Sequence, residues 1–440
     1  MTRRAAPRPV RTLAVLAALA LAAAAARPLW ALEGEIDVDA VPSAALVPGG
    51  GAGPAPAQAE STRITAQAAG SGQASLSDEL TLSATAWGLL DSLPGYNPLV
   101  VPANHLALSS RLLQADVSWQ LMPGTLTWSA GKEVIHPSSG FFRTPLNLLS
   151  RGPAGNVAQQ VPAAAPQWEE GWIGTRLLWV AGDLSMEDFF SPRLAWTSAA
   201  DTVLGYVTAQ QAAWVDQLRV QAHVLGVDVQ ALALVSTEGP GSADPAVHVQ
   251  LGAGVDANLG DRLTVRAEAA VSDVRSRLVV VDPVALTVST QSVPWAVQAL
   301  AGVTWSISTK TSLLVEYAYN GLGFSGSAYS AALTFQRNRA SAGGAGATAP
   351  DVLGQFGSFS AAQHYAFARL ATDITDQLTA QGWTEVNLQD PSALLGVGLN
   401  ELAEGWGLGG SVTASWGGPA TEAGSSPFLW QLDIELKLFF

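Results

Sequence analysis

The sequence predicts an all-β fold, a transmembrane antiparallel β-barrel of about sixteen strands within a range of about fourteen to eighteen. Three observations carry this prediction. Apolar and polar residues alternate in short runs along most of the chain. The connections between runs are alternately short and long. Beyond the N-terminus, no apolar run approaches the roughly 20 residues that a membrane helix needs. The chain has 440 residues, of which 48% are apolar and 13% charged, few charges for a water-soluble protein of this size.

Taken in order, residues 1–31 read as an export signal. Arg3, Arg4, Arg8 and Arg11 precede the apolar LAVLAALALAAAA, and cleavage after Ala26 or after Ala31 fits the small residues that follow. An uncleaved membrane anchor is the alternative, but the run is short and rich in Ala. Removing residues 1–31 takes five Arg and no acid, so a formal charge of −14 becomes −19. Without a basic cluster to meet phosphates, nucleic acid is excluded as a partner. Cysteine is absent, which excludes disulfides, thiolate metal sites and cysteine nucleophiles. Stability must then come from sheet closure and burial.

Residues 32–78, including VPGGGAGPAPAQAE, have a linker composition and are expected to form a flexible Gly/Ala/Pro-rich segment. A short plug inside the barrel is the alternative. The barrel itself is expected over residues 79–440. Its clearest period-two runs are LTLSATAWG (80–88), GTLTWSAGKEVI (124–135), GWIGTRLLWVA (171–181), DQLRVQAHVL (216–225) and VDVQALALVST (227–237). AVHVQLGAGVDAN (246–258), LTVRAEAAVS (263–272), WAVQALAGVTWSIS (295–308) and SLLVEYAYN (312–320) follow. QLTAQGWTEVNLQ (377–389), GWGLGGSVTASWG (405–417) and FLWQLDIELKLFF (428–440) complete the strong set. Weaker runs lie at 104–120, 183–191, 362–373 and 392–403.

The connections sort by parity. Counting back from the last run, one set is short: 403–404, 375–376, 308–310, 259–262, 226, 181–182 and 122–124. The other is long: 418–426, 321–361, 274–294, 238–245, 192–214, 136–170 and 89–103, with only Asp390-Pro391 short where a loop is expected. Short turns at one rim and long loops at the other belong to membrane barrels; a soluble sandwich has no reason to sort them so.

The faces agree. Trp295, Val297, Ala299, Ala301, Val303, Trp305 and Ile307 alternate with Gln298, Gly302, Thr304 and Ser306. Lipid offers no hydrogen bonds, so such a sheet must close on itself. Trp87, Trp119, Trp179, Trp295, Trp305, Trp406, Trp416 and Trp430 stand near strand ends, where interfacial girdles form. Alternation turns Asp116, Glu187, Asp228, Asp256, Glu268, Glu316, Glu385, Asp433 and Glu435 inward, with Arg176, Arg219, Arg266 and Lys437. This excess of acids predicts a modest cation preference; pairing of the charges across strands is the plainer alternative. Asp188 and Arg111 break the alternation, which points to a bulge or strand end there.

The last run, with Trp430, Leu432, Ile434, Leu436, Leu438 and Phe440 on one face, resembles the closing strand of a Gram-negative outer-membrane β-barrel. Its terminal Phe resembles the C-terminal assembly signal of that class. The stretch GKEVIHPSSGFFRTPLNLL (131–149), followed by EEGWIGTRLLW and GDLSMEDFFSP, is similar to exporter-type porin families over residues 124–192. The resemblance implies integral placement in the bacterial outer membrane after export. It also implies the lipid bilayer as partner, the barrel-assembly machinery and periplasmic chaperones during biogenesis, and a homo-oligomer as an open alternative. It further implies that the loop 136–170, carrying Phe141, Phe142, Arg143, Arg151, Glu169 and Glu170, folds inward as a constriction; a surface loop is the alternative. The loop 321–361, with SAGGAGATAP, is expected to be flexible and exposed.

The function expected is passive diffusion of small hydrophilic solutes through a porin-like channel. The alternative is a barrel acting mainly as an anchor or adhesin through its external loops. No enzyme, cofactor or metal site is expected. The five His (His105, His136, His223, His248 and His364) belong to no catalytic motif, and no HExxH, GxSxG or phosphate-binding Gly loop occurs.

Overall fold

A computed structural model describes residues 32–44, 60–75, 79–93, 105–133, 145, 172–197, 206–209, 214–237, 247–273, 276–293, 295–341, 352, 361–404, 406–418, 421–423 and 430–439. The strands begin with β1 (Leu32–Ala44), β2 (Glu60–Ser75), β3 (Leu80–Leu93), β4 (His105–Met122), β5 (Leu126–Glu133), β6 (Trp172–Ala181) and β7 (Leu184–Thr197). They continue with the short β8 (Tyr206–Ala209), then β9 (Val215–Val224), β10 (Val227–Thr237), β11 (Val247–Leu259), β12 (Leu263–Ser272), β13 (Ser276–Asp282) and β14 (Thr287–Ser292). The last are β15 (Ala296–Ser306), β16 (Thr311–Asn320), β17 (His364–Asp373), β18 (Leu378–Asn387), β19 (Ser392–Ala403), β20 (Trp406–Trp416) and β21 (Trp430–Phe439). Among the described residues, one helix, α1 (Gly326–Ser341), lies between β16 and β17.

Among the described residues, nineteen strands share one antiparallel sheet, and β13 and β14 form a separate hairpin. The short β8 pairs only with the far end of β7, while β7 also pairs with β9. Apart from that branch, each strand of the large sheet pairs with its successor. β21 pairs with β20 on one side and with β1 on the other, from Glu35 opposite Phe439 to Ala40 opposite Ile434. Following the ladder through the described strands other than β8 therefore returns to the strand where it began, the arrangement by which a sheet in lipid avoids a bare edge.

Two expectations are corrected. Residues 32–44 and 60–75, expected as a flexible segment ahead of the barrel, are strands of the sheet. Within LEGEIDVDAVPSA, Glu33, Glu35, Asp37 and Asp39 alternate with Gly34, Ile36, Val38 and Ala40, a period-two pattern masked by the Gly/Pro-rich stretch after it. The connection 321–363 is not an exposed flexible loop in its described part. α1 buries Tyr329, Ala332, Leu333 and Phe335, and the first three recur at helical spacing. They cluster with Leu314, Ala318, Tyr365, Phe367, Trp383 and Leu394.

The connections keep the expected parity. Those at 123–125, 182–183, 225–226, 260–262, 307–310, 374–377 and 404–405 are short, and those at the opposite end are long except for 388–391 between β18 and β19. A register shift between Thr85 and Ala86 skips Leu113 of β4, beside Arg111, as a bulge requires. Asp188 needs none: the β7–β9 ladder is regular there, and Asp188 is an exposed residue of the outer face.

The faces are inverted relative to a soluble protein. In β15, Val297, Val303 and Trp305 are exposed, and Ala296, Leu300 and Gly302 are buried. Along β19, Leu395, Val397 and Leu399 are exposed, whereas Leu394, Gly396 and Gly398 are buried. Trp119, Trp305 and Trp406 are exposed at the short-turn end, Trp295 and Trp416 at the loop end, as two girdles would be. Trp383 is the exception. It turns inward, and its indole covers Gly396 so closely that a Cβ there would stand 2.1 Å from the ring.

Candidate functional site: inner wall and mouth

Several of the charges that alternation turns inward meet in two clusters built by register. On β7 and β9, Glu187 stands opposite Arg219, and Arg219 Nη2 lies 3.1 Å from Glu187 Oε2. From β6, Arg176 Nη1 approaches the same oxygen at 3.7 Å, and its Nε lies 2.9 Å from Glu133 Oε2. Ser129 donates its hydroxyl to Glu133 Oε1 at 2.6 Å. Two arginines thus meet two acids, and Asp116 lies buried on the neighbouring β4, accepting the Ser118 hydroxyl at 3.2 Å.

The second cluster centres on Arg266 of β12. Its Nη1 lies 3.7 Å from Glu316 Oε1 and its Nε 4.0 Å from Asp256 Oδ1, and Nη2 donates to Thr304 Oγ1 at 3.1 Å. Asp256 stands directly opposite Asp228. At the short-turn rim, Asp228 meets His223 at 2.8 Å with both side chains half exposed. Glu268 and Glu385 are buried on the same face. For Asp433, Glu435 and Lys437 the register is fixed: they stand opposite Ser411, Gly409 and Gly407 of β20. Of the residues expected to form an assembly signal, Trp430, Leu432, Ile434, Leu436 and Leu438 lie in β21, and Phe440 lies outside the described residues. So do Phe141, Phe142, Arg143, Arg151, Glu169 and Glu170 of the expected constriction.

At the loop end, α1 and the connection after β20 are fastened to the inner wall by a buried polar network. Glu422 Oε2 accepts Tyr365 Oη–H at 2.8 Å and Asn387 Nδ2–H at 2.7 Å, and its Oε1 accepts the Ala361 N–H at 2.8 Å. Tyr329 of α1 donates to Asp390 Oδ2 at 2.6 Å and accepts from Asn387 Nδ2 at 2.6 Å. Asp390 also accepts the Glu422 N–H at 2.8 Å. Burial, with the Glu422 and Asp390 charges beside it, pushes the Tyr329 phenol well above its usual range. Each donor has an acceptor, the condition under which a buried network rigidifies what it joins.

The β13–β14 hairpin braces the same helix. Arg277 donates through Nη1 to the Leu322 and Gly323 carbonyls at 2.9 Å. Its guanidinium lies 5.1 Å from the centre of the Phe324 ring, and burial lowers its pKa from the ordinary value. Asn338 donates to the Pro283 carbonyl at 2.8 Å. The mouth over β16–β19 is therefore occupied by packed chain.

Neither a family model nor any curated protein sequence matches the chain. Solved structures do. The crystal structure of Acinetobacter baumannii OccAB1 aligns over 93% of this chain and 95% of its own, with a TM-score of 0.54 at 8% identity. A variant of a Rh. blastica porin aligns over 94% of this chain and 100% of its own, with a TM-score of 0.43 at 10% identity.

The fold is a porin-like β-barrel.

Within this porin-like barrel, sequence reasoning left out Glu133, Arg369 and the whole mouth network. Glu133 had a signal: it is in phase with Ser129 and Gly131 of β5. Arg369 is in phase with Tyr365 and Phe367 of β17, and donates to Gln381 Oε1 at 3.0 Å. Glu422, Asp390 and Asn387 had none, because the partners that join them into the network lie between 32 and 93 residues away in sequence.

Proposed function

We propose that this barrel is an integral channel of the bacterial outer membrane, through which small hydrophilic solutes diffuse without energy coupling. The observation that carries the reading is the inversion of faces around a ladder that returns to its first strand. Apolar side chains stand outside, and acidic, basic and hydrogen-bonded side chains line the inside. Lipid accepts such an exterior, and water such an interior. A modest cation preference accompanies it. Among the described inner-wall side chains, Asp116, Glu133, Glu187, Asp228, Asp256, Glu268, Glu316 and Glu385 outnumber Arg176, Arg219, Arg266 and Arg369. Cross-strand pairing offsets part of that excess.

A second reading, a barrel serving mainly to anchor external loops, is favoured by one observation. α1 and its core occupy the mouth over β16–β19. Planar-bilayer recording under a salt gradient separates the two. Discrete conductance steps with a reversal potential on the cation side support the channel with its bias. Steps with the opposite sign retain the channel and remove the bias, and a folded barrel that never conducts leaves the anchor.

A further inference from the structure

Two described residues other than glycine have positive φ, Leu225 and Leu286, both at 53°. A leucine there is strained by contact between its Cβ and the backbone. At Leu286, in the turn between β13 and β14, packing against the α1 core offsets the strain. Leu225 has no such compensation within the protein, for 98% of its surface is exposed.

Leu225 and Gly226 (φ 82°) form the two-residue turn between β9 and β10. Such turns favour Asn or Asp before Gly, because those residues tolerate positive φ and stay hydrated. Every other described turn of the barrel's short-turn rim carries a charged or hydroxyl side chain: Thr125, Asp183, Asp261 with Arg262, Ser308 with Lys310, Asp376, and Glu404. This turn carries neither. The outer stripe of β9 ends on Val224, 52% exposed, and that of β10 resumes at Val227 and Val229. The apolar surface of the barrel wall therefore runs through the turn without a polar break.

We propose that the β9–β10 turn is a lipid anchor, with Leu225 and Val224 inserted in the bilayer leaflet at the short-turn rim while the adjacent turns stand in water. The proposal rests on the membrane placement given under Proposed function. Burial in lipid supplies the compensation that Leu225 lacks inside the protein.

The chain has no cysteine, so a single introduced one takes an environment-sensitive fluorophore uniquely. The labelled variants are Leu225→Cys, Asp183→Cys in the adjoining turn and Leu251→Cys on the outer face of β11, each refolded into phosphatidylcholine vesicles with and without brominated chains. The expected result is a loss of emission at position 225 comparable with that at 251, and none at 183. Quenching at 251 with position 225 as open to aqueous iodide as 183 overturns the anchor alone. An unquenched 251 overturns the membrane placement, and the anchor with it. Should Leu225→Cys fail to fold, Leu225→Asn reports instead. It relieves the turn, so a lower urea midpoint than wild type in vesicles supports the anchor and a higher one overturns it.

Discussion

Arg266 reaches Glu316 across the intervening strand β15, passing over Gly302, with 3.7 Å between Nη1 and Oε1. Gly302 makes the reach possible. A Cβ at that position would stand 2.8 Å from Glu316 Cγ and 3.2 Å from Arg266 Cγ. Gly302→Ala should therefore part the pair and lower stability by about 1–3 kcal/mol, the usual cost of overfilling a packed site. Urea unfolding in detergent micelles measures it, and an unchanged midpoint would show that the two side chains have room to give.

The Glu187 cluster predicts how the selectivity should move. Arg219→Gln removes one of the two cations on Glu187 and leaves a shorter, neutral polar side chain. Permeability should shift toward cations by at most about fivefold, corresponding to about 1 kcal/mol for a unit charge at contact distance in water. Glu187→Gln should shift it the other way. Reversal potentials under a salt gradient read both, and shifts of the same sign would mean that the cluster lies off the solute path.

Glu422 is predicted to hold the mouth. In Glu422→Gln, an amide donor replaces an oxygen that now accepts from Tyr365 and Asn387, and a hydrogen bond to a charged group contributes roughly 1.5–3 kcal/mol. The barrel should remain folded, as judged by heat-modifiable mobility in gels. Its single-channel conductance should rise and become noisier as the mouth segments come free. A quiet, unchanged conductance would place the solute path clear of α1.

Tyr329 gives the mouth a pH dependence whose sign follows from the raised phenol pKa, caused first by burial and then by the Glu422 charge. The unfolded chain releases this proton near pH 10, whereas the folded mouth retains it. The stabilisation is complete below about pH 10 and is lost progressively as pH rises toward the folded-state pKa. Conductance of the wild type should consequently increase above about pH 10 relative to Tyr329→Phe, which has nothing to titrate there. Parallel profiles for the two proteins would rule out Tyr329 as the group responsible.

Much of this architecture was legible because the pleat prints itself on the sequence. Each of the sixteen runs with alternating faces became a strand, and the parity of the connections located both rims, including the short one at 388–391. What was not legible depended on distance or on a different period. β1 has the right alternation, but its partner β21 lies at the far end of the chain, and composition drew attention to the glycines and prolines nearby. Tyr329, Ala332 and Leu333 follow a helical period inside a connection between two strands, where the period-two pattern breaks off. Inward placement of Arg176, Arg219 and Arg266 followed from counting by twos. Their pairing with Glu133, Glu187 and Glu316 required the register between neighbouring strands, which one strand alone does not contain.

The seam between β1 and β21 also orders events in time. Its partners, such as Glu35 and Phe439, are separated by almost the whole chain, the kind of contact that forms slowly because the loop it closes is so long. Until it forms, β1 and β21 each present a bare row of N–H and C=O groups, two sticky margins of one unfinished cylinder. Those margins match each other no better than they match the margins of a neighbouring unfinished copy. The last zip thus decides between a sealed single chain and a joined pair, and dilution or a chaperone that shields either margin should favour the sealed product.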